Sequence, residues 1–309
     1  MKRSIASLLF ISGLLAAPLL GQTTIGGGTC NSGSLTGAYA VSLTSRQVTS
    51  SGTFSGVSQA TGAATFDGLS AVTMNLTANT GQGVGTALAW SGTYSVQANC
   101  DGVINITTGG SVNLTVAINN SGTDFALGGS DAASNAYNGN GVAQPGNGNK
   151  QTATCSASTF SGVYTFNGTG FALNGTAVSG AKNAAGLLQF DGVSNVTANL
   201  TTSTTGVAPS PLTLTGSYTI SSNCLGSATL TDASANSYAM NFAIYNNTVA
   251  NAAAYVGLAQ SSNFLMSATM HATYGQPATT TTAGGLVGSP ALVAAEKPQS
   301  VSANRGGRS

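Results

Sequence analysis

Charge is what this chain has least of. Lys and Arg number 8 and Asp and Glu 7 in 309 residues, 5% in all, with a formal net charge of +1, where soluble domains carry roughly 25%. With no basic surplus there is nothing to neutralise a phosphate backbone, which excludes nucleic acid as a partner. Histidine occurs once, at His271, and no glutamate precedes Glu296. A Ser-His-Asp assembly or a facing pair of carboxyl groups has almost nothing to draw on, so the expectation is a protein that is not an enzyme and takes no cofactor. Aromatics are 6% of the chain, too few for the two girdles of a single outer-membrane barrel, an alternative the cysteines and the polar C-terminus also oppose. Long apolar runs are missing beyond the N-terminus. The best later candidate, residues 284–295, contains Pro290 and three glycines and is too short. No transmembrane helix is therefore expected in the mature chain, since a span takes about 20 residues.

What is present begins with an export signal. Lys2 and Arg3 precede an apolar stretch over residues 5–15, and Gly21 offers a small residue for cleavage, so residues 1–21 read as a signal peptide and the mature chain starts near Gln22. Gln22 stands where a lipidated cysteine would be needed, which argues against a lipid anchor. The destination is secretion, the extracellular space or the cell surface, with the periplasm as an alternative. Residues 275–309, rich in Thr, Ala and Gly, read as a disordered tail.

The chain also repeats itself. Cys30 and Tyr39 recur 125 positions later as Cys155 and Tyr164; Phe66-Asp67-Gly68, Tyr94 and Cys100 recur 124 later as Phe190-Asp191-Gly192, Tyr218 and Cys224. Between residues 64–76 and 188–200, 8 of 13 positions are identical. A unit of that length is a domain with its own core rather than a solenoid turn. Four cysteines allow three pairings. The repeat favours Cys30 with Cys100 and Cys155 with Cys224, closing loops worth roughly 4 kcal/mol each in the chain-entropy account. A metal site is the rival reading, weakened because the repeats hold no histidine.

Within each copy the apolar period is two. Val72, Met74 and Leu76 alternate with polar residues, as do Val112, Leu114, Val116 and Ile118, and Val196, Ala198 and Leu200 in the second copy. These are half-buried strands. Asp67-Gly68 and Asp191-Gly192 lie between alternating runs and read as tight two-residue hairpin turns in which both residues take positive φ. An apolar-[Ser/Thr]-Gly-x-Tyr pattern occurs four times, at Tyr39, Tyr94, Tyr164 and Tyr218. Its glycines read as bulges, and the two such strands of each copy as antiparallel neighbours. Those four tyrosines with Trp90 are candidates to line a ligand cavity, the alternative being that they fill the core. Roughly eight strands per copy fit an all-β up-and-down barrel of lipocalin or avidin type or a barrel-like sandwich, the barrel being preferred. The layout is a first barrel over 22–144, a flexible linker over 145–154, and a second barrel over 155–274 that adds a strand after residue 263.

Taken together, [Leu/Phe]-[Ser/Thr]-Gly-x-Tyr, Phe-Asp-Gly, Gly-x-Tyr leading to Asn-Cys-x-Gly, and the closing Gly-x-Ala-Gln resemble a repeat domain of exported bacterial proteins. That resemblance implies no catalytic residues. The functional expectation is a noncatalytic structural, adhesive or surface-binding protein, engaging a surface glycan or an envelope component. The alternative is a carrier of small apolar ligands, one per barrel.

Overall fold

The computed structural model describes residues 29–48, 54–81, 83–119, 121–131, 142–143, 146–151, 154–246 and 252–273. The expected signal segment and the expected tail lie outside these residues. A 3-10 turn at Ser32–Ser34 leads into β1 (Thr36–Val48), β2 (Phe54–Asp67), β3 (Ala71–Thr80), β4 (Gly83–Val96), β5 (Asp101–Thr108), β6 (Val112–Ile118) and β7 (Asp124–Gly128), then the two-residue β8 (Ser130–Asp131) and β9 (Val142–Ala143), and β10 (Gly146–Lys150). A second 3-10 turn at Ala157–Thr159 opens the next copy: β11 (Ser161–Asn174), β12 (Ala177–Asp191), β13 (Asn195–Thr204), β14 (Val207–Ile220), β15 (Leu225–Thr231), β16 (Ser237–Tyr245), β17 (Ala253–Gln260) and β18 (Phe264–Ala272).

Each copy is a closed antiparallel barrel of eight strands. In the first, β1 to β7 pair in sequence and β10 closes the ring between β7 and β1; in the second, β11 to β18 close on themselves. Closure gives each of the eight ring strands a partner on both sides. The alternating pattern explains which face turns inward. In β3 the residues Val72, Met74, Leu76 and Ala78 are buried while Thr73 and Asn75 are exposed, and β13 repeats this with Val196, Ala198 and Leu200 inside and Thr197, Asn199 and Thr201 outside. The interior is apolar and the wall is Thr, Asn and Ser. A membrane barrel has the reverse polarity.

Four expectations change. The segment read as a linker supplies the closing strand β10, which pairs Tyr39–Leu43 on one side and Asp124–Leu127 on the other. Its Gly-Asn composition looked like flexible chain, yet a Cβ at Gly148 would sit 2.0 Å from the Phe125 ring. The glycine is what lets Phe125 lie under the strand. Short β9 pairs Arg46 and Gln47 of β1 in the register that β10 continues, with Gln144 and Pro145 between them. Val142–Ala143 thus belongs on the β1 edge, whereas the matching Leu258-Ala259 lies in β17, the seventh strand of its barrel, so these two pairs are not structurally equivalent. The tyrosine strands β1 and β4 are not neighbours either: β2 and β3 lie between them. Of the four glycines in their pattern, Gly92 alone sits at a register shift, while Gly37 and Gly162 take φ of 86° and 106°.

The barrels do not merely follow one another; they pack. An even number of strands returns the chain to the end where it started, and the short connection after Lys150 starts the second barrel at that same end. Gln151 Nε2 there donates to the Ile244 carbonyl at 2.8 Å. At the opposite end Gly81, after β3, lies against Thr176 of the β11–β12 turn. Between these points β1 and β2 press on β16, β17 and β18. One apolar cluster joins Val57 to Leu173, Ala259 and Leu265, and another joins Ala40 to Ala243 and Tyr255. A polar seam lies between them. Gln59 and Asn79 are fully buried, Asn79 Nδ2 donates to Gln59 Oε1 at 3.1 Å, Gln59 Nε2 donates to Thr61 Oγ1, and Thr44 and Ser267 share a hydrogen bond of 2.9 Å across the barrels. Opposite Gln59 stands Gly257, where a Cβ would lie 2.1 Å from Gln59 Oε1. The partner strand is bare where the amide needs room.

Candidate functional site

Because the two barrels point the same way, one end of the molecule carries both 3-10 turns, both disulfides and both Asp-Gly loops. Cys30 bonds Cys100 and Cys155 bonds Cys224, with S–S distances of 1.98 and 2.02 Å. The pairing is within copies. Cys100 and Cys224 hold left-handed backbone, φ 68° and 64°, in the β4–β5 and β14–β15 turns. Each bridge ties the entry of its barrel to a turn at the same rim.

The Asp-Gly loops are three-residue connections, not two-residue turns. Gly68 and Gly192 take φ of 82° and 79°, but Asp67 and Asp191 are the last residues of β2 and β12 and keep strand backbone. Their carboxylates act instead as acceptors. Asp67 Oδ1 receives the N–H groups of Leu69, Ser70 and Ala71 at 2.8, 2.8 and 2.9 Å, and Asp191 Oδ1 those of Val193, Ser194 and Asn195 at the same three distances. A side chain that bonds its own following backbone builds a turn without a second left-handed residue. The tip beyond each glycine is apolar and exposed, Leu69 at 76% and Val193 at 73%.

These hydrogen bonds hold both carboxyls below the usual carboxylate range. At Asp67 the Leu69 N–H is the chief cause. At Asp191 burial pulls upward first, and the N–H groups of Val193, Asn195 and Ser194 with the Asn195 amide outweigh it. A group whose folded pKa is depressed stabilises the fold above its unfolded pKa, near 3.9, and loses that contribution as pH falls through the lower folded value. The urea midpoint should therefore hold steady above about pH 5 and fall on acidification below about pH 4. In an Asp67→Ser/Asp191→Ser protein, whose hydroxyls still accept but do not titrate, that fall should shrink. An acid limb identical to the wild type would refute the role given to these carboxylates.

The candidate ligand-lining residues are core. Tyr39, Tyr94, Tyr164 and Tyr218 are 0 to 3% exposed and Trp90 is 3%. In the first barrel the Phe66 ring meets Tyr39 edge-on at 5.5 Å and Tyr94 at 4.9 Å; in the second, Phe190 meets Tyr164 at 5.4 Å and Tyr218 at 5.0 Å. These rings fill the disulfide end of each barrel, facing one another rather than a guest. Their hydroxyls find backbone: Tyr39 donates to the Gly122 carbonyl at 2.7 Å, and Tyr94 to the carbonyls of Ser32 and Leu35, both at 3.0 Å. Burial first, and then the nearby Asp67 and Asp191 charges, push the phenols of Tyr94 and Tyr218 up to about 12. They stay neutral donors that hold the 3-10 turns to the barrel rim.

Three further acids serve their own turns. Asp101 accepts from Asn99, Asp124 from Asn119, and Asp232 from Asn236 and Tyr238. His271 sits exposed on β18 with its ring 6.5 Å from that of Tyr245. Among the described residues no three of His, Cys, Asp and Glu gather where a metal ion could be held, and no helix is long and apolar enough to cross a membrane.

A concavity lies between the barrels, where no sequence motif points to one. Where the barrel walls diverge beside the seam, a cleft of about 480 Å³ is lined from one side by Ser42 and Asn147 and from the other by Asn167, Thr169, Tyr255 and Thr269. The Thr44–Ser267 bond lies at its edge. Tyr255 is held by its neighbours: Asn149 Nδ2 donates to its hydroxyl, and the Tyr245 ring lies 4.8 Å away. The cleft is made by packing, so nothing in the spacing of Ser42 and Asn167 announces it. The one readable sign is β17, whose run Ala-Ala-Tyr-Val-Gly-Leu-Ala-Gln lacks the alternation of the other strands, as a strand covered on both faces does.

The sequence matches no protein-family profile and no curated protein. Among solved structures the chain is similar to the isotype 1 transferrin binding protein B of serogroup B Neisseria meningitidis, at 10% identity over 78% of this chain and 77% of that one, with a TM-score of 0.24. It is likewise similar to a mutant transferrin binding protein B from Haemophilus parasuis, at 11% identity over 76% and 75% of the two chains, TM-score 0.25. Overlaps of this size lend nothing to the reading of function.

Proposed function

We propose that this protein is an exported, noncatalytic binding body that engages a component of a cell surface or matrix through the paired loop tips at its disulfide end. The observation that carries the reading is the repetition of one device on one face: Asp67-Gly68-Leu69 and Asp191-Gly192-Val193 each present an exposed apolar residue on a loop fixed by three hydrogen bonds. Singly exposed apolar side chains are ordinary on a protein surface; what supports contact here is that Leu69 and Val193 recur in equivalent, identically fixed loops on one face. The packed barrels hold both tips on one face, so a partner with two like epitopes meets the second at high effective concentration. Two disulfides need an oxidising compartment to form and persist, which supports an extracellular or cell-surface location, as does the resemblance to exported bacterial repeats. The rings packed into the disulfide end of each barrel, all four pattern tyrosines among them, favour this reading over the carrier of apolar ligands.

The test is a screen of the purified mature protein against whole cells, envelope fractions and matrix glycans. Saturable binding is expected, weakened roughly tenfold or more in a Leu69→Asp/Val193→Asp protein whose unfolding midpoint is unchanged, since exposed positions contribute within about 0.5 kcal/mol. Absence of any binding, or binding indifferent to the double substitution, would overturn it.

A further inference from the structure

We infer that the cleft between the barrels is a site for a neutral saccharide, a function separate from the loop tips. The chemistry of the lining restricts the ligand. Among the described residues none that lines the cleft is Asp, Glu, Lys, Arg or His, and Asp124, whose charge reaches Tyr255, already accepts from Asn119, so a charged ligand would give up its hydration and find no counter-charge in the wall. A wholly apolar ligand would find contact at Ala126, Leu127 and Ala268 but would strip water from the hydroxyls and amides of Ser42, Asn147, Asn167 and Thr169 without replacing the lost hydrogen bonds. A polyhydroxylated, uncharged molecule satisfies both conditions. It offers donors and acceptors all round, to match hydroxyls and carboxamides that can each give and accept.

Two further features separate this cleft from the Ser-Thr-Asn wall found all over the barrels. Its volume, about 480 Å³, falls in the range of small-ligand sites, roughly 300–1,000 Å³, and suits a short oligosaccharide. Its wall also contains one aromatic ring, Tyr255, only 6% exposed and with its hydroxyl already engaged by Asn149. A ring so buried presents almost no surface, so it stiffens the wall rather than stacking on a ligand, and contact with the C–H face of a pyranose is left to Ala126, exposed on the first barrel. The site takes Ser42 and Asn147 from the first barrel and Asn167, Thr169 and Tyr255 from the second, so it exists only because the two copies are packed together.

Saturation-transfer NMR on the full mature chain, with maltotriose, cellotriose and chitotriose as neutral probes and trigalacturonate as the charged comparison, tests this directly. At least one neutral probe should bind saturably at or below about 10 mM, with trigalacturonate giving no saturable signal. Binding should weaken roughly tenfold or more in Asn167→Ala/Thr169→Ala, whose substitutions lie on exposed wall positions, and in Ser42→Ala on the facing wall. It should survive Leu69→Asp/Val193→Asp, so that failure here and failure of the loop-tip reading are told apart. No binding of any neutral probe, preference for trigalacturonate, or binding undiminished in both cleft variants would each overturn the assignment.

Discussion

Replacing Cys155 and Cys224 together by alanine should destabilise the protein by roughly 4 kcal/mol, lowering the calorimetric midpoint by on the order of 10 °C. The bridge closes a loop of sequence separation 69, and a cross-link that long removes much of the freedom of the unfolded chain. In the folded state it fastens the 3-10 turn at Ala157–Thr159, which precedes β11, to the β14–β15 turn on the same rim, where Cys155 N–H also reaches the Ser222 carbonyl at 3.3 Å. The residues it anchors are those that Tyr218 holds from inside, through hydrogen bonds of 3.4 Å to the carbonyls of Ala157 and Phe160. Without the bridge the rim loses its covalent tie and is left to neutral contacts such as these. The Cys30→Ala/Cys100→Ala protein should behave alike, since Tyr94 repeats the arrangement. A midpoint unchanged in both double variants would show that the barrels need no cross-link, and would remove the stability argument for an oxidising compartment.

Phe190→Ala should cost about 3–5 kcal/mol, and chemical denaturation would read it as a lower midpoint with the slope kept. Phe190 is 1% exposed and sits among four rings, at 4.8 Å from Phe160, 5.4 Å from Tyr164, 5.0 Å from Tyr218 and 5.9 Å from Phe242. Truncating it removes the apolar transfer gain and leaves a void that strand closure prevents from collapsing. The same substitution separates a filled barrel from a hollow one. In a carrier, a ring lining an open cavity would already face a void, and its loss would cost far less. A measured change under about 1 kcal/mol would revive the apolar carrier; the expected value retires it. Phe66, with Tyr39, Tyr94 and Phe125 around it, provides the independent repeat in the first barrel.

Much of this was legible from the residues alone. The alternation in Val72-Met74-Leu76 and Val196-Ala198-Leu200 depends only on the two-residue period of a strand, so the inward faces of β3 and β13 followed without coordinates. Duplication assigned each cysteine its partner. Less was legible where two physical meanings share one composition. Gly146–Lys150 has the make-up of a connector and acts as a closing strand, because Gly148 makes space for Phe125. Asp67-Gly68 has the signature of a two-residue hairpin and forms an acid-capped loop of three. The tyrosines carry a polar tip that suits either a binding wall or a core, and only their neighbours Phe66 and Phe190 decide between the two.

Local chemistry thus determined that the chain is two like β-domains, which side of each strand is apolar, and that each domain carries its own sulfur bridge; these depend on residue type and short-range spacing. Which strand meets which, the filling of the interiors, and the joining of the copies through Gln59 against Gly257 were settled by three-dimensional packing. The reason is that contacts such as Thr44 with Ser267, 223 positions apart, rest on two walls fitting together, and a fit between surfaces leaves no periodic trace along either strand.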